Sequence, residues 1–222
     1  MPASAGKSTR GHFLQPAWTG EDSIRERFDA VADLISASSV LDIGCASRHR
    51  RSDWLHGLLA DRCSDLVGID VDEPSVATLK ARGFDVRLED ARDFDLGREF
   101  EVVFAGELIE HLDDVRGFLQ SARRHIQPKG RLVLTTPNPF YFANFIYRFG
   151  GHALVHREHT CWFCEDTIKR VLAVNGFDEI EVSFTGHKAS SKLRSVLGGV
   201  ARFVLPPRLA LDTLVVVAQP ST

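Results

Sequence analysis

The chain has 222 residues, with 27 Lys and Arg against 30 Asp and Glu and a formal net charge of −3. A hydrophobic share of 44% with 26% charged residues excludes a disordered or fibrous chain, and the length fits one sizeable domain better than two small ones. The near-neutral balance speaks against bulk nucleic-acid binding, which needs clustered Lys and Arg, and no apolar run reaches the roughly 18–20 residues that span a bilayer.

Residues 1–20 are rich in Ser, Gly, Pro and Ala and read as a loose lead-in to a domain over residues 21–222. They carry no continuous apolar segment of the signal-peptide kind, and the four cysteines are too few for a disulfide scaffold, so a cytoplasmic setting is expected. From Glu21 the pattern turns helical, with Ile24, Phe28, Val31, Ala32 and Ile35 on one face. A compact apolar run, Ser39 to Ile43, is followed at once by Gly44. After a helical stretch holding Trp54, Leu55, Leu58 and Leu59 comes a second run, Leu66 to Asp70. Asp72 and Pro74 then open a helix as cap and first-turn proline, and Gly83 closes it. Asp85–Leu88 and Phe100–Ala105 are the next strands. A helix over about Asp114–Ile126 turns Val115, Phe118, Leu119, Ala122 and Ile126 inward; Pro128-Lys-Gly130 ends it, and Arg131–Thr136 is the fifth strand. Short apolar strands alternating with helices indicate an α/β fold, a doubly wound and mostly parallel sheet covered on both faces.

In such a sheet ligands sit outside the carboxyl ends of the strands, so the residues there carry the chemistry. The first strand ends Asp42-Ile-Gly44-Cys45-Ala46-Ser47. Asp42 stands where the dinucleotide fingerprint G-x-G-x-x-G has its first glycine. A carboxylate there serves a bare pyrophosphate poorly and a cofactor bearing an ammonium group well. Asp70 ends the second strand, followed by Val71, and can accept from both hydroxyls of a ribose. The third strand leads into Glu89-Asp90-Ala91, where Asp90 can accept from an adenine amine beside the backbone donor of Ala91.

On these residues the chain resembles the class I S-adenosylmethionine-dependent methyltransferases over roughly Val40 to Gly176. Val40-Leu-Asp-Ile-Gly-Cys45 is similar to their first motif, Gly68-Ile-Asp70 to the ribose-binding second and Leu88-Glu-Asp-Ala91 to the adenine segment. Phe100 to Leu112, which includes Gly106 and Glu107, is similar to the fourth motif. Gly130 to Pro139 is similar to the fifth-strand motif of the small-molecule subgroup. The resemblance implies a seven-stranded sheet with Asp212–Ala218 as an antiparallel strand, and S-adenosyl-L-methionine as cofactor. Asp42, Gly44, Cys45, Ala46, Asp70, Val71, Asp90 and Ala91 would hold it, with Gly106 and Glu107 near the methyl. It also implies a small-molecule or sugar acceptor, methylated on oxygen. The family has glycine where this chain has Ala46 and often again near Arg48.

An alcohol or phenol acceptor needs a general base, and histidine suits neutral pH. His111 lies just beyond the fourth strand. His159 lies in His156-Arg-Glu-His-Thr-Cys-Trp-Phe163, a segment similar to one in methyltransferases encoded near glycan and natural-product genes. Each has an equally plain reading as a packing residue. Phe140 to Phe149 is dense in aromatics, either core or part of an acceptor lid spanning residues 138–163, with a second acceptor segment at 187–208. Arg48 to Arg51 is a solvated basic turn or a reader of an anionic acceptor. Lys192–Leu205 is a covering helix or a basic amphipathic helix resting on a membrane surface. His156, His159, Cys161 and Cys164 offer metal-type ligands, but at no standard zinc spacing, so no metal is expected. Two rivals stay open: a nicotinamide-dependent oxidoreductase, and a non-catalytic module that keeps the cofactor site.

Overall fold

A computed structural model describes residues 21–35, 37, 39–47, 49–50, 54–151, 155–186 and 201–221. The apolar runs become β1 (Ser39–Ile43), β2 (Asp65–Asp70), β3 (Val86–Leu88), β4 (Phe100–Gly106) and β5 (Ile126–Pro137), all parallel. Two further strands, β6 (Phe177–Thr185) and β7 (Thr213–Pro220), complete a seven-stranded sheet in the order β3-β2-β1-β4-β5-β7-β6. β7 runs antiparallel to both its neighbours, as expected of the last strand. Chain order reverses where β1 lies between β2 and β4, which opens a crevice at their carboxyl ends.

The central strands β1 and β4 are buried nearly end to end because both faces are covered. On β4, Val102 and Phe104 pack with Phe28, Val31, Ala32 and Ile35 of α1 (Glu21–Ile35) and Leu59 of α2 (Leu55–Ala60). The alternate residues Val103 and Ala105 pack with Phe118, Leu119 and Ala122 of α4 (Val115–Arg124) and Ile168 and Leu172 of α6 (Glu165–Val174). Each such Val, Leu, Ile or Phe side chain, once buried, contributes about 1.5–3 kcal/mol. Between α2 and α4, α3 (Glu73–Ala81) opens after Asp72, has Pro74 in its first turn and is closed by Gly83 at φ +91°. Two further helices are α5 (Phe142–Phe149) and α7 (Pro207–Ala210).

Three boundaries differ from the sequence expectation. α4 stops at Arg124, two residues before Ile126. His125 takes over there: its Nδ1 lies 2.7 Å from the Ser121 carbonyl and its Nε2 accepts the Leu96 amide at 2.9 Å. Pro128-Lys-Gly130 is an irregularity inside β5 rather than a helix stop, since Phe100 pairs with Ile126 and Val102 already with Arg131. β6 is the sheet edge, bulged between Asp178 and Glu181, and its exposed acidic residues hide it from a search for apolar runs.

Of the Lys192–Leu205 stretch, only residues 201–204 are described beyond Leu205 itself, and they are helical, with Ala201 buried and Phe203 and Val204 exposed. The rest of it, residues 1–20, Arg48 and Arg51 lie outside the described residues. No described helix is long and apolar enough to cross a membrane.

Candidate functional site

A cavity of about 820 Å³ opens at the crevice where the strand order reverses. Its wall includes Asp42, Gly44 and Cys45 at the carboxyl end of β1, Asp70 and Val71 at that of β2, and Asp90 and Ala91 after β3. It also includes Gly106, Glu107 and His111 after β4, and His159. Ala46 stands behind this wall, where its amide donates to Asp70 Oδ2 at 2.9 Å. The strand ends thus bring every expected site residue to one place, Ala46 through its hold on Asp70.

The β1–β2 side is fixed by the main chain. Gly44 has φ +83°, a conformation that a side chain makes costly, and the amides of Gly44 and Cys45 both donate to the Ile69 carbonyl. Asp70 accepts from Ala46 on one oxygen and from the Asp72 amide, at 3.0 Å, on the other. Asp42 is 3% exposed, and its Oδ2 lies 2.8 Å from Nδ1 of His56, itself 1% exposed. Trp54 packs beside His56 and donates Nε1–H to the Cys45 carbonyl at 2.6 Å. Burial and the neighbouring Asp42 and Asp70 carboxylates push the Cys45 thiol far up, so it stays a neutral wall residue.

Asp90 is held by a side chain that also lines the cavity, Arg92. Both of its oxygens take hydrogen bonds from Arg92, which also donates Nη1–H to Asp113 at 2.7 Å. The guanidinium holds both carboxyls below their usual range.

The other side is built across the sequence. Glu107, at φ +52°, turns the chain out of β4 with its amide on the Thr135 carbonyl of β5. The short 3-10 turn Ile109–His111 follows, and Glu110 is fully buried with Oε2 accepting from Thr136 Oγ1 at 2.9 Å. The backbone of this turn then receives the segment that bears His156 and His159. The amides of Thr160 and Cys161 donate to the Glu110 carbonyl, and Thr160 Oγ1 donates to the Leu112 carbonyl at 2.8 Å. That strap seats His159 edge-on to His111 with ring centroids 4.6 Å apart, and His156 within 5.8 Å of both. Burial, reinforced by the two other imidazoles, lowers His159 to about 4; His111 is lowered by burial and by His156.

Sequence reading missed His56, Arg92 and the place of His156 beside His111. Nothing in spacing relates Asp42 to a histidine fourteen positions later. Arg92, two residues from Asp90, was the legible one of the three. Cys161 and Cys164 take no part in the cavity wall: the Cys161 sulfur lies near the Ile109 and Glu110 carbonyls, and that of Cys164 caps α6 against Thr167. The aromatic helix α5 is neither core nor, in this conformation, part of the wall. None of its residues is buried, and Phe149 is 94% exposed.

Comparisons with known proteins agree with this geometry. A family model described as a methyltransferase domain matches residues 12–182. A ubiquinone biosynthesis O-methyltransferase of Bradyrhizobium diazoefficiens is 30% identical over 148 residues, 60% of this chain and 55% of that protein. A probable S-adenosylmethionine-dependent methyltransferase of Mycobacterium tuberculosis is 25% identical over 85% of this chain and 70% of its own. The chain spans about half the length of several of the curated relatives it matches. Among solved structures, a SAM-dependent methyltransferase from Archaeoglobus fulgidus superimposes with a TM-score of 0.64 at 18% identity, over 90% of this chain and 94% of that one. With the family model covering most of the sequence and the strand-end carboxylates gathered around one cavity, the chain belongs to the class I S-adenosylmethionine-dependent methyltransferases.

Proposed function

We propose that the cavity binds S-adenosylmethionine against its β1–β3 side and a small-molecule or sugar acceptor against the His111–His159 side, and that the methyl goes to an acceptor oxygen. The observation that carries this reading is the division of one cavity between three carboxylates at successive strand ends and a group of imidazoles facing them. The residues fit the cofactor: the volume suits a ligand of that size, and the three carboxylates offer acceptors for an ammonium, a ribose diol and an adenine amine. Asp42 would meet the ammonium, sharing its carboxylate with His56. Asp70, already oriented by two amides, would take the ribose, and Asp90 and Ala91 the adenine. Gly44, Cys45 and Val71 complete that wall, Ala46 steadies Asp70, and Gly106 and Glu107 border the methyl.

When bound, the cofactor supplies a methyl carbon that bonds to the acceptor oxygen as its bond to sulfur breaks, the electron pair staying on sulfur. What the chain itself does is orient both reactants, exclude water and remove the acceptor's proton. In the simplest form His111 or His159 takes that proton, burial and the neighbouring imidazoles favouring the neutral ring in both. The net charge of −3 supports an acceptor that is not a nucleic acid, and we place the activity in the cytoplasm. The similarity to a ubiquinone biosynthesis O-methyltransferase supports oxygen as the methylated atom.

The test has two stages. Calorimetry should show S-adenosylmethionine binding and no NAD binding. A mass-spectrometric screen of phenols, sugars and amines should then find an acceptor that gains one methylene's mass at oxygen. Products methylated only on nitrogen would refute the oxygen assignment, and absence of cofactor binding would refute the reading as a whole.

A further inference from the structure

We infer that His111, His156 and His159 form a site for one divalent transition-metal ion at the acceptor end of the cavity. The three side chains each offer a ring nitrogen, and these atoms all lie within 4.8 Å of one another. A tetrahedral ion with Zn–N bonds of about 2.0–2.1 Å would hold them about 3.4 Å apart, so closure asks for roughly an ångström of side-chain movement.

The rings are held in place from outside the cluster. A ligating imidazole ordinarily gives its second nitrogen to a carbonyl or carboxylate, which fixes the ring. His156 Nδ1 accepts from the Glu158 amide at 3.4 Å and has the Glu158 carboxylate 3.8 Å away, and the backbone of Glu158 also stands against His111. One residue thus orients two of the three rings. On the third, His159 Nδ1 is shut off from solvent and has no hydrogen-bond partner among the described residues. An orphaned buried polar atom in a native fold calls for a partner such as an ion, and here it sits among two other imidazoles. The segment that carries His156 and His159 is strapped to the turn that carries His111 through Thr160 and Cys161, so the cluster is set by the backbone. All three rings line the cavity, which leaves the remaining coordination position open to a ligand within it.

An all-imidazole set suits zinc, copper, iron or nickel, and three histidines with an open fourth position make a Lewis-acid arrangement. This deepens the proposed function and rests on its reading of the cavity. The ion would bind the acceptor hydroxyl in the open position and lower its pKa. The O–H bond breaks, the proton leaves to water, and the oxygen keeps the electron pair with which it meets the methyl carbon. No oxidant or reductant is needed. In the loaded protein the imidazole lone pairs belong to the ion, which replaces a bare histidine base.

Co²⁺ is the probe, titrated into the untagged full chain and followed by its visible absorption and by calorimetry. The expected result is one Co²⁺ per chain, displaced by Zn²⁺. H156A should weaken Co²⁺ at least tenfold while S-adenosylmethionine affinity stays within twofold, and the triple alanine variant should bind none. His156 lies on a coil segment with its side chain 40% exposed, so H156A is expected to fold, and H156N serves if it does not. Wild type that binds no more Co²⁺ than the triple variant would overturn the inference, as would H156A binding as tightly as wild type. Intact cofactor binding in that case leaves the proposed function standing. Co²⁺ bound through these histidines without any S-adenosylmethionine binding would support the metal site and refute the proposed function.

Discussion

On the β1–β2 wall of the cavity, Gly44, Cys45 and Asp70 are held by hydrogen bonds to main chain within two adjacent parallel strands and their loops. On the opposite wall, His111, His156 and His159 come from two segments more than forty residues apart and meet through a few backbone bonds around Glu110. The first arrangement follows from the sheet: once β1 and β2 pair in register, from Ser39 with Asp65 to Ile43 with Ile69, their ends must face the crevice. The second depends on where a loop returns. The contrast matches the chemistry proposed for each wall, an invariant cofactor on the rigid side and a variable acceptor on the side that loops can reshape.

The largest effect expected is on the loop-built wall. H159A removes either a base or a ligand of the ion that takes over its task, and should lower turnover by about 10²–10⁴-fold, the range for losing help with the acceptor's proton, while S-adenosylmethionine binds as before. Unchanged turnover in both H159A and H111A would remove the imidazoles from the chemistry.

Next in size is the buried support of the strand-built wall. H56L leaves an Asp42 oxygen buried without its partner and should cost about 1–3 kcal/mol in urea unfolding, with weaker cofactor binding. H56Q, which restores a hydrogen bond, should recover part of both. Equal stability of H56L and wild type would show that the Asp42–His56 contact does not hold the wall.

A smaller effect is expected at Asp90. Arg92 depresses the carboxyls of Asp90 and Asp113, so the stabilisation is present above the ordinary carboxylate value of 3.8 and is lost as pH falls through their depressed folded values. Wild type should therefore exceed R92A in stability at pH 7, and the gap should close in strong acid. A gap that is constant with pH would mean that Arg92 acts only by packing. Smallest of all, F149S on the exposed face of α5 should change stability by no more than about 0.5 kcal/mol. A larger loss would mean that α5 is covered in solution.

The same contrast governs what could be read from the sequence. β1, β2 and β4 were legible because both faces of each strand are buried, which leaves continuous apolar runs, and their ends named Asp42, Asp70, Gly106 and Glu107. β6 was not, because it is an acidic edge strand with a bulge. His111 and His159 were legible as chemically apt residues near the crevice. Their meeting with His156 was not, since it depends on the bonds from Thr160 and Cys161 to Glu110, some fifty positions away. Along the chain, His156, His159, Cys161 and Cys164 show no standard metal-ligand spacing, and the two sulfurs turn away from the cavity. Local pattern reports strands and helices, whereas a site assembled by loop return leaves no local pattern.

The central claim is that the two walls serve different reactants, and titration calorimetry of S-adenosylmethionine into wild type, D70A and H159A tests it most directly. Removing the Asp70 carboxylate should weaken binding by about 1.5–3 kcal/mol, roughly ten- to a hundredfold, whereas H159A should match wild type within twofold. Equal loss in the two variants, or none in D70A, would contradict the division of the cavity.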